Sequence, residues 1–213
     1  MKYIIMCGGN YVEWKTPRQK LLINGEPIVQ RTIRLLQECG VDDIAISTNM
    51  PDFDCFGVPV LHHENSFYVT SEITVGYWVD AFYPMEEPVC YLFGDVVYSP
   101  KAIYIIVNTP VTGIEFFGSK PPFSRQYIKI WAEPFAFKVV DTKRFTSAIQ
   151  RVKDLCDNGV FTRHPIAWEL WQVISNTQVN KIVYNYIGIN DYTCDIDEPD
   201  DLAKIEEKIC QSI

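Results

Sequence analysis

Positive charge is scarce in this chain. Its 27 acidic residues face 19 lysines and arginines, a net charge of −8. Gripping nucleic acid by counterion release needs a basic face, and docking on an anionic membrane needs basic clusters. The balance argues against both. It leaves room for a nucleotide ligand, because a bound divalent cation reverses the local field. Histidine is also sparse: His62, His63 and His164 are the only three, and none has zinc-site spacing from a cysteine. The seven cysteines (Cys7, Cys39, Cys55, Cys90, Cys156, Cys194, Cys210) form no C-x-x-C pair, and most lie in apolar runs. They read as free buried thiols in a reducing cytosol. No apolar run approaches the ~20 residues of a membrane-crossing helix. The opening Tyr3–Met6 looks like a strand, without the apolar stretch and cleavage site of a secretory leader. Repeats, low-complexity tracts and linkers are missing, as are the fingerprints G-x-G-x-x-G and G-K-[ST]. What remains is an ordinary globular composition, 47% apolar and 22% charged. At 213 residues the chain can bury about 70% of its unfolded surface without a disulfide or metal staple.

The pattern of apolar residues alternates strands and helices. Lys2–Cys7 is a strand ending in Gly8-Gly9, and residues 10–25 form a long polar loop. A helix opens at Pro27 and closes at Gly40, followed by a strand over Asp43–Ser47. Val58–Leu61 is strand-like, and Ser71–Tyr83 is predicted helical with Ser71 as its N-cap. Val89–Phe93 is continuously apolar, as in a central parallel strand covered on both faces, and it ends in Gly94-Asp95. A helix over Pro100–Val107 follows. Gly113–Phe117 and Tyr127–Val140 read as antiparallel strands around Pro121-Pro122. Helices at Thr142–Cys156 and Pro165–Ile174, strands at Lys181–Tyr184 and Tyr192–Ile196, and a helix at Pro199–Cys210 complete the chain. The expected fold is a three-layer α/β/α sandwich with a mostly parallel, Rossmann-like sheet and a small antiparallel insert, in one domain.

Three constellations could carry chemistry. The first is the N-terminal loop with Gly8, Gly9, Lys15, Pro17, Arg18, Lys20 and Gly25. Glycines let backbone N–H groups approach phosphates, and Lys or Arg can neutralise them; an ordinary glycine turn in a solvated loop is the plain alternative. The second is Asp95, an acid at the carboxyl end of a buried strand, where it is costly unless it faces a site or a partner. A turn or capping aspartate would look the same. The third is Asp195-Ile196-Asp197-Glu198-Pro199-Asp200-Asp201. In an extended strand Asp195 and Asp197 project to one side and Cys194 and Ile196 to the other. Two adjacent carboxylates suit a hard cation such as magnesium. Asp200 and Asp201 fit the first turn of a helix, whereas Asp195 still lies in the strand.

Taken in order, the Ile4-Ile5-Met6-Cys7-Gly8-Gly9 strand and loop, Pro17-Arg18-x-x-Leu21-Leu22-x-x-Gly25-x-Pro27-Ile28, Gly94-Asp95 and Asp195-Ile196-Asp197-Glu198-Pro199 resemble the GT-A-type nucleotidyltransferases. That group includes sugar-1-phosphate nucleotidyltransferases, phosphocholine cytidylyltransferases, molybdopterin cofactor guanylyltransferases, and sialic-acid and KDO cytidylyltransferases. The resemblance implies Mg²⁺- (or Mn²⁺-) dependent transfer of a nucleotidyl group from a nucleoside triphosphate to a small phosphorylated acceptor. It implies a nucleotide-binding half over 1–110, an acceptor-binding part over 111–180, and closing strands and helix over 181–213. Nucleotide would meet Cys7, Gly8, Gly9, Lys15, Arg18, Lys20 and Ser71, with Asn65, Ser66 and Thr70 nearby. Asp95, Asp195 and Asp197 would hold the metal, with Arg18 and Asp95 catalytic. Acceptor candidates are Trp131, Glu133, Trp168 and Glu169, then Arg125, Arg163 and His164; aromatic rings beside acids suit a choline-like cation or a sugar. The sequence departs from the family loop at two positions. Tyr11 stands where a second glycine is usual, and Glu13 where an arginine is usual. A GT-A glycosyltransferase or a non-catalytic nucleotide-binding protein of the same fold are the competing readings. The base, the acceptor and the oligomeric state, a homodimer included, are left open by the sequence.

Overall fold

The computed structural model describes residues 1–9, 16–65, 67–69, 73–124 and 126–211. Seven strands form one sheet: β1 (Lys2–Met6), β2 (Ile44–Thr48), β3 (Val60–His62), β4 (Val89–Phe93), β5 (Ile114–Gly118), β6 (Pro134–Val139) and β7 (Ile187–Gly188). Their order is β7-β5-β6-β4-β1-β2-β3, and only β6 runs against the rest. The predicted antiparallel insert is therefore one reversed strand inside the main sheet, and the α/β class with a mostly parallel sheet stands. The helices are α1 (Ile28–Glu38), α2 (Pro100–Asn108), α3 (Thr142–Asp157), α4 (Ala167–Ile174) and α5 (Pro199–Gln211).

Side-chain alternation assigns the layers. Tyr91 and Phe93 of β4, Phe116 of β5 and Phe137 of β6 point to one face, where Phe145 of α3 and Trp168 and Trp171 of α4 pack on Tyr91, Phe116 and Phe137 at 5.3–5.7 Å between ring centroids. Lys138 points the other way, and its ammonium donates to the carbonyls of Ile106, Val107 and Thr109 at 2.7–2.9 Å. It thereby caps the carboxyl end of α2 from beneath, where a cation meets the negative end of the helix. A second, smaller core joins α1 and α5: Ile23, Ile28, Val97, Cys194, Ile196, Ile205 and Ile209 pack together.

Several predicted elements differ from the structure. No helix runs through 73–83. Thr74–Val75 pairs antiparallel with Tyr68–Val69, and Trp78–Ala81 is a single 3₁₀ turn. Gly76, at φ +72°, interrupts the segment, and left-handed backbone does not continue a helix. Ser71, the expected N-cap, lies outside the described residues. Lys181–Tyr184 is not a strand. Gln172 Nε2 donates to the Lys181 carbonyl and Trp171 Nε1 to Asn185 Oδ1, so α4 holds this segment, and pairing with β5 begins at Ile187. Tyr127–Glu133 bends below the sheet and only Pro134–Val139 is extended. The polar loop also has structure: Arg18–Lys20 is a 3₁₀ turn, and Leu22–Ile23 pairs with Glu26–Pro27 around Asn24-Gly25, both at positive φ. Two adjacent residues of that kind are what a tight hairpin turn requires.

Candidate active site

The chain leaves β1 toward β2 on one side, while β4 lies on the other. The carboxyl ends of β1 and β4 thus flank the switch point at which open α/β sheets form a crevice. Gly94 closes the floor of that crevice. A Cβ there would sit 2.4 Å from the Met6 carbonyl oxygen and 2.9 Å from Cys7 Sγ, so glycine alone permits the ends of the two strands to touch. The Gly94 N–H donates to that carbonyl at 3.0 Å, which sets Asp95 beside Gly8. Gly9, at φ +122°, donates its N–H to Asn49 Oδ1 at 3.2 Å.

The C-terminal acids arrive by a two-residue ladder. Cys194–Asp195 pairs antiparallel with Val96–Val97, and the Ile196 N–H donates to the Asp95 carbonyl at 3.0 Å. Two motifs a hundred residues apart are so joined by backbone. Cys194 and Ile196 are buried in the smaller core, while Asp195 and Asp197 project together on the opposite side. Asp201 sits at the start of α5 and accepts from the N–H groups of Asp197 and Glu198 at 3.1 and 3.0 Å.

Two cations serve Asp95, Asp195 and Asp197. Arg18 reaches Asp95 Oδ2 at 3.1 Å and Asp197 Oδ1 at 3.2 Å, and also donates to the Ile196 carbonyl. Lys129, which sequence reasoning did not single out, is the second. Its ammonium lies 2.6 Å from Asp195 Oδ1, 2.7 Å from Asp197 Oδ2 and 2.8 Å from Glu133 Oε1, with Asp201 Oδ2 at 3.6 Å. The Lys129 side chain is 5% exposed. The contact to Glu133 is out of line for a hydrogen bond. Burial, then the contact with Asp195 and its charge, push the Glu133 carboxyl up to about 10 against the pull of Lys129, so Glu133 keeps its proton near neutrality. Burial also raises Asp95, against the pull of Arg18. It also holds the Cys7 thiol far above its usual range; Cys7, predicted to meet the nucleotide, is fully buried beneath Gly94 and takes no part in the cleft lining.

Arg18, Asp95, Glu133, Asp195 and Asp197 line a cleft of about 500 Å³. One wall is Gly8, Arg18, Asp95, Asp195 and Asp197; the other is aromatic, with Phe67, Trp78, Phe93, Trp131 and Trp168. Trp131 is 56% exposed, whereas Trp168 is buried and packs edge-on against Phe116 at 5.3 Å, so it is core with one edge in the cleft. Glu133 and Arg163 also line the cleft. Other predicted residues lie elsewhere. Glu169 is buried at the start of α4, accepting from the Ile166 N–H at 2.9 Å and from Arg163 Nε at 2.8 Å; it caps the helix and is not in the cleft lining. Lys20 donates to the Asp52 carbonyl and covers the Phe53 ring at 4.7 Å, away from the cleft. His164 stacks on Phe67 at 5.0 Å, behind the lining. Asn65 accepts from the Phe67 N–H at 2.9 Å, close to Gly8. Tyr11, Glu13, Lys15, Ser66, Thr70, Ser71 and Arg125 lie outside the described residues.

The donor set suits a hard cation. Four carboxylates (Asp95, Asp195, Asp197, Asp201) and the protonated Glu133 face three protein cations, Arg18, Lys129 and, 3.8 Å from Asp201, Lys204, which leaves an excess of negative charge on oxygen ligands. Among the described residues, Glu133, Cys194 and Asp195 bring three ligand atoms within 4.8 Å of one another. Burial keeps the Cys194 thiol protonated, which makes it a poor ligand and leaves the carboxylates as the usable donors.

No family model matches the chain, and no curated protein matches it in sequence. Solved structures do match over essentially its full length. A proposed glucose-1-phosphate thymidylyltransferase from Bacillus anthracis superposes with a TM-score of 0.56 at 16% identity, covering 100% of this chain and 96% of that one. The 4-diphosphocytidyl-2C-methyl-D-erythritol synthase of Anaerococcus prevotii gives 0.57 at 12% identity, over 98% and 97%. The inositol-1-phosphate CTP transferase of T. maritima gives 0.57 at 14% identity, over 100% and 97%. The chain shares the fold of these structures. Within that fold, the cleft described above occupies the switch point of the sheet, with its acids drawn from both halves of the chain.

Proposed function

We propose that this protein transfers a nucleotidyl group from a nucleoside triphosphate to a small phosphorylated acceptor, a sugar phosphate or a phosphocholine-like compound, in a Mg²⁺- or Mn²⁺-dependent reaction that releases pyrophosphate. The observation that carries this reading is the convergence of Asp95, Asp195, Asp197 and Arg18 on one cleft beside Gly8. Fold neighbours named for thymidylyl and CTP transfer support it. In this reading residues 1–110 bind nucleotide, 111–180 the acceptor, and 181–213 close the site. The seven free thiols suit a reducing cytosol.

The reaction is an in-line displacement. An acceptor phosphate oxygen bonds to the α-phosphorus, the bond from that phosphorus to its bridging oxygen breaks, and pyrophosphate leaves with the electron pair. Positioning and charge neutralisation supply the rate. The backbone at Gly8 and Gly9 approaches the phosphates without side-chain interference. Arg18, whose planar fork matches phosphate oxygens, neutralises the departing pyrophosphate. Asp95, Asp195 and Asp197 would hold the divalent ion, which would supply charge neutralisation for the reacting phosphate. Trp131 and the exposed edge of Trp168 offer ring surface to the acceptor, and the protonated Glu133 can donate a hydrogen bond to it.

A thermal-shift screen tests the proposal. CTP, dTTP, UTP, GTP and ATP are each added with and without Mg²⁺. A triphosphate at about 100 times its dissociation constant stabilises the fold by roughly 2.7 kcal/mol. Stabilisation by one triphosphate only with Mg²⁺ supports nucleotidyl transfer. Stabilisation by nucleoside-diphosphate sugars alone would move the assignment to glycosyl transfer.

A further inference from the structure

The acids assigned to the divalent ion already carry cations, and the two cations differ in setting. Lys129 lies behind the acids, almost wholly buried, and takes no part in the cleft lining. Arg18 lies in front and lines the cleft. Its guanidinium spans Asp95 Oδ2 and Asp197 Oδ1, so it bridges the central acid and the C-terminal acid. Asp197 has Arg18 against one oxygen and Lys129 against the other. Among the described residues, Asp95, Asp195 and Asp197 do not form a group of ligand atoms within 4.8 Å of one another.

Building on the nucleotidyl-transfer reading above, we propose that Arg18 is an internal stand-in for the divalent cation: in the unloaded protein it neutralises Asp95 and Asp197, and on loading it leaves them for the phosphates. Lys129 remains as the fixed counter-ion that keeps Asp195 and Asp197 side by side. A guanidinium pairs with carboxylate and phosphate through the same planar fork, so the exchange costs Arg18 no hydrogen-bonding capacity. Each half of the exchange is unfavourable alone. A divalent ion without triphosphate leaves Arg18 beside a second cation, and a triphosphate without the ion faces uncovered carboxylates. The two ligands therefore bind with positive coupling, and Arg18 is its physical carrier.

The test reads metal binding rather than turnover. Mn²⁺ alone is titrated by electron paramagnetic resonance into wild type, Arg18→Met and Arg18→Lys, each first checked for fold by circular dichroism. Arg18→Met should bind Mn²⁺ about tenfold or more tightly than wild type, because the competing charge is gone. Arg18→Lys should stay near wild type, and adding Asp95→Asn to Arg18→Met should erase the gain. A purely structural Arg18 gives the opposite result, equal or weaker Mn²⁺ binding in Arg18→Met, which would overturn the proposal. If Arg18→Met does not fold, the wild-type protein decides. The Arg18 Nε–H signal in a ¹H–¹⁵N spectrum, identified by its loss in Arg18→Lys, should shift along the Mg²⁺ binding isotherm. An unmoved signal at Mg²⁺ saturation overturns the exchange. Pyrophosphate release, measured separately, tests the enzymatic reading, so either can fail without the other.

Discussion

Replacing Lys129 with methionine keeps the length of the side chain and removes its charge. In the wild type that charge stands 2.6–2.8 Å from three carboxyl groups and is 5% exposed. Breaking a buried ion pair by deleting one partner costs about 3–5 kcal/mol, because the partner charge stays buried and uncompensated. The full figure is reduced here. Asp197 is 51% exposed and Asp195 23%, so water takes over part of the solvation, and Glu133 can lower the local charge by keeping its proton. The expected loss is about 3 kcal/mol, at the low end of that range. For a chain of this length that lowers Tm by roughly 6–12 °C. Urea denaturation and calorimetry measure both quantities. Adding Asp195→Asn to Lys129→Met should recover about 1 kcal/mol or more, since the pair is in direct contact and its effects are not additive. A Lys129→Met protein melting within about 2 °C of wild type, with no recovery in the double variant, would refute the cluster's dependence on this ammonium.

Gly94→Ala should lose about 2–3 kcal/mol and shift Asp95 away from Gly8, since the new methyl would overlap the Met6 carbonyl at 2.4 Å; unchanged urea midpoints would contradict this. Asp95→Asn should reduce pyrophosphate release at least about 100-fold while the protein melts near the wild-type temperature, because burial already opposes the charge on Asp95. Full activity in that variant would sink the metal assignment. Alkaline pH supplies a further check. Burial raises the Cys90 thiol to about 12, while an unfolded cysteine titrates near 8.5. The folded thiol keeps its proton where the unfolded one has lost it, so its contribution is complete below the unfolded value and declines as pH rises toward about 12. Urea midpoints at pH 8, 9 and 10 should fall, and Cys90→Ala should flatten the fall by up to about 1.4 kcal/mol per pH unit.

Most of the sheet was legible because its central strands are buried and read as nearly unbroken apolar runs. Val89–Phe93 is the plainest, and it ends, as expected, in the glycine and acid at the switch point. The pairing of Asp195 with Asp197 on one side followed from strand alternation alone. Local pattern failed where a single residue overruled its neighbours. The apolar spacing through 73–83 resembles a helix, yet Gly76 takes a left-handed backbone and the segment turns. Lys129 was invisible for a related reason. Between Ile128 and Ile130 it looks like the solvent-facing member of a strand, whereas the chain bends there and exposes Ile130 at 80% while burying the lysine. Its spacing of four from Glu133 was the one available signal, and it gains meaning only once Asp195 and Asp197 arrive from the far end of the chain. Glu169 misled in the opposite direction: an acid beside two tryptophans suggested a ligand pocket, and its carboxylate proves to cap α4. Capping and binding call for the same residue type, and tertiary context separates them.

The central claim is transfer of a nucleotidyl group, and pyrophosphate release tests it most directly. The purified protein is incubated with Mg²⁺, each of five nucleoside triphosphates labelled at the α-phosphate, and glucose-1-phosphate, inositol-1-phosphate or phosphocholine. Pyrophosphate should form only when one triphosphate, one acceptor and the metal are together, with the label passing to the acceptor in equal amount, and Asp95→Asn should form none. Triphosphate binding without pyrophosphate in any combination, or release of label as free nucleoside monophosphate regardless of acceptor, would contradict the account.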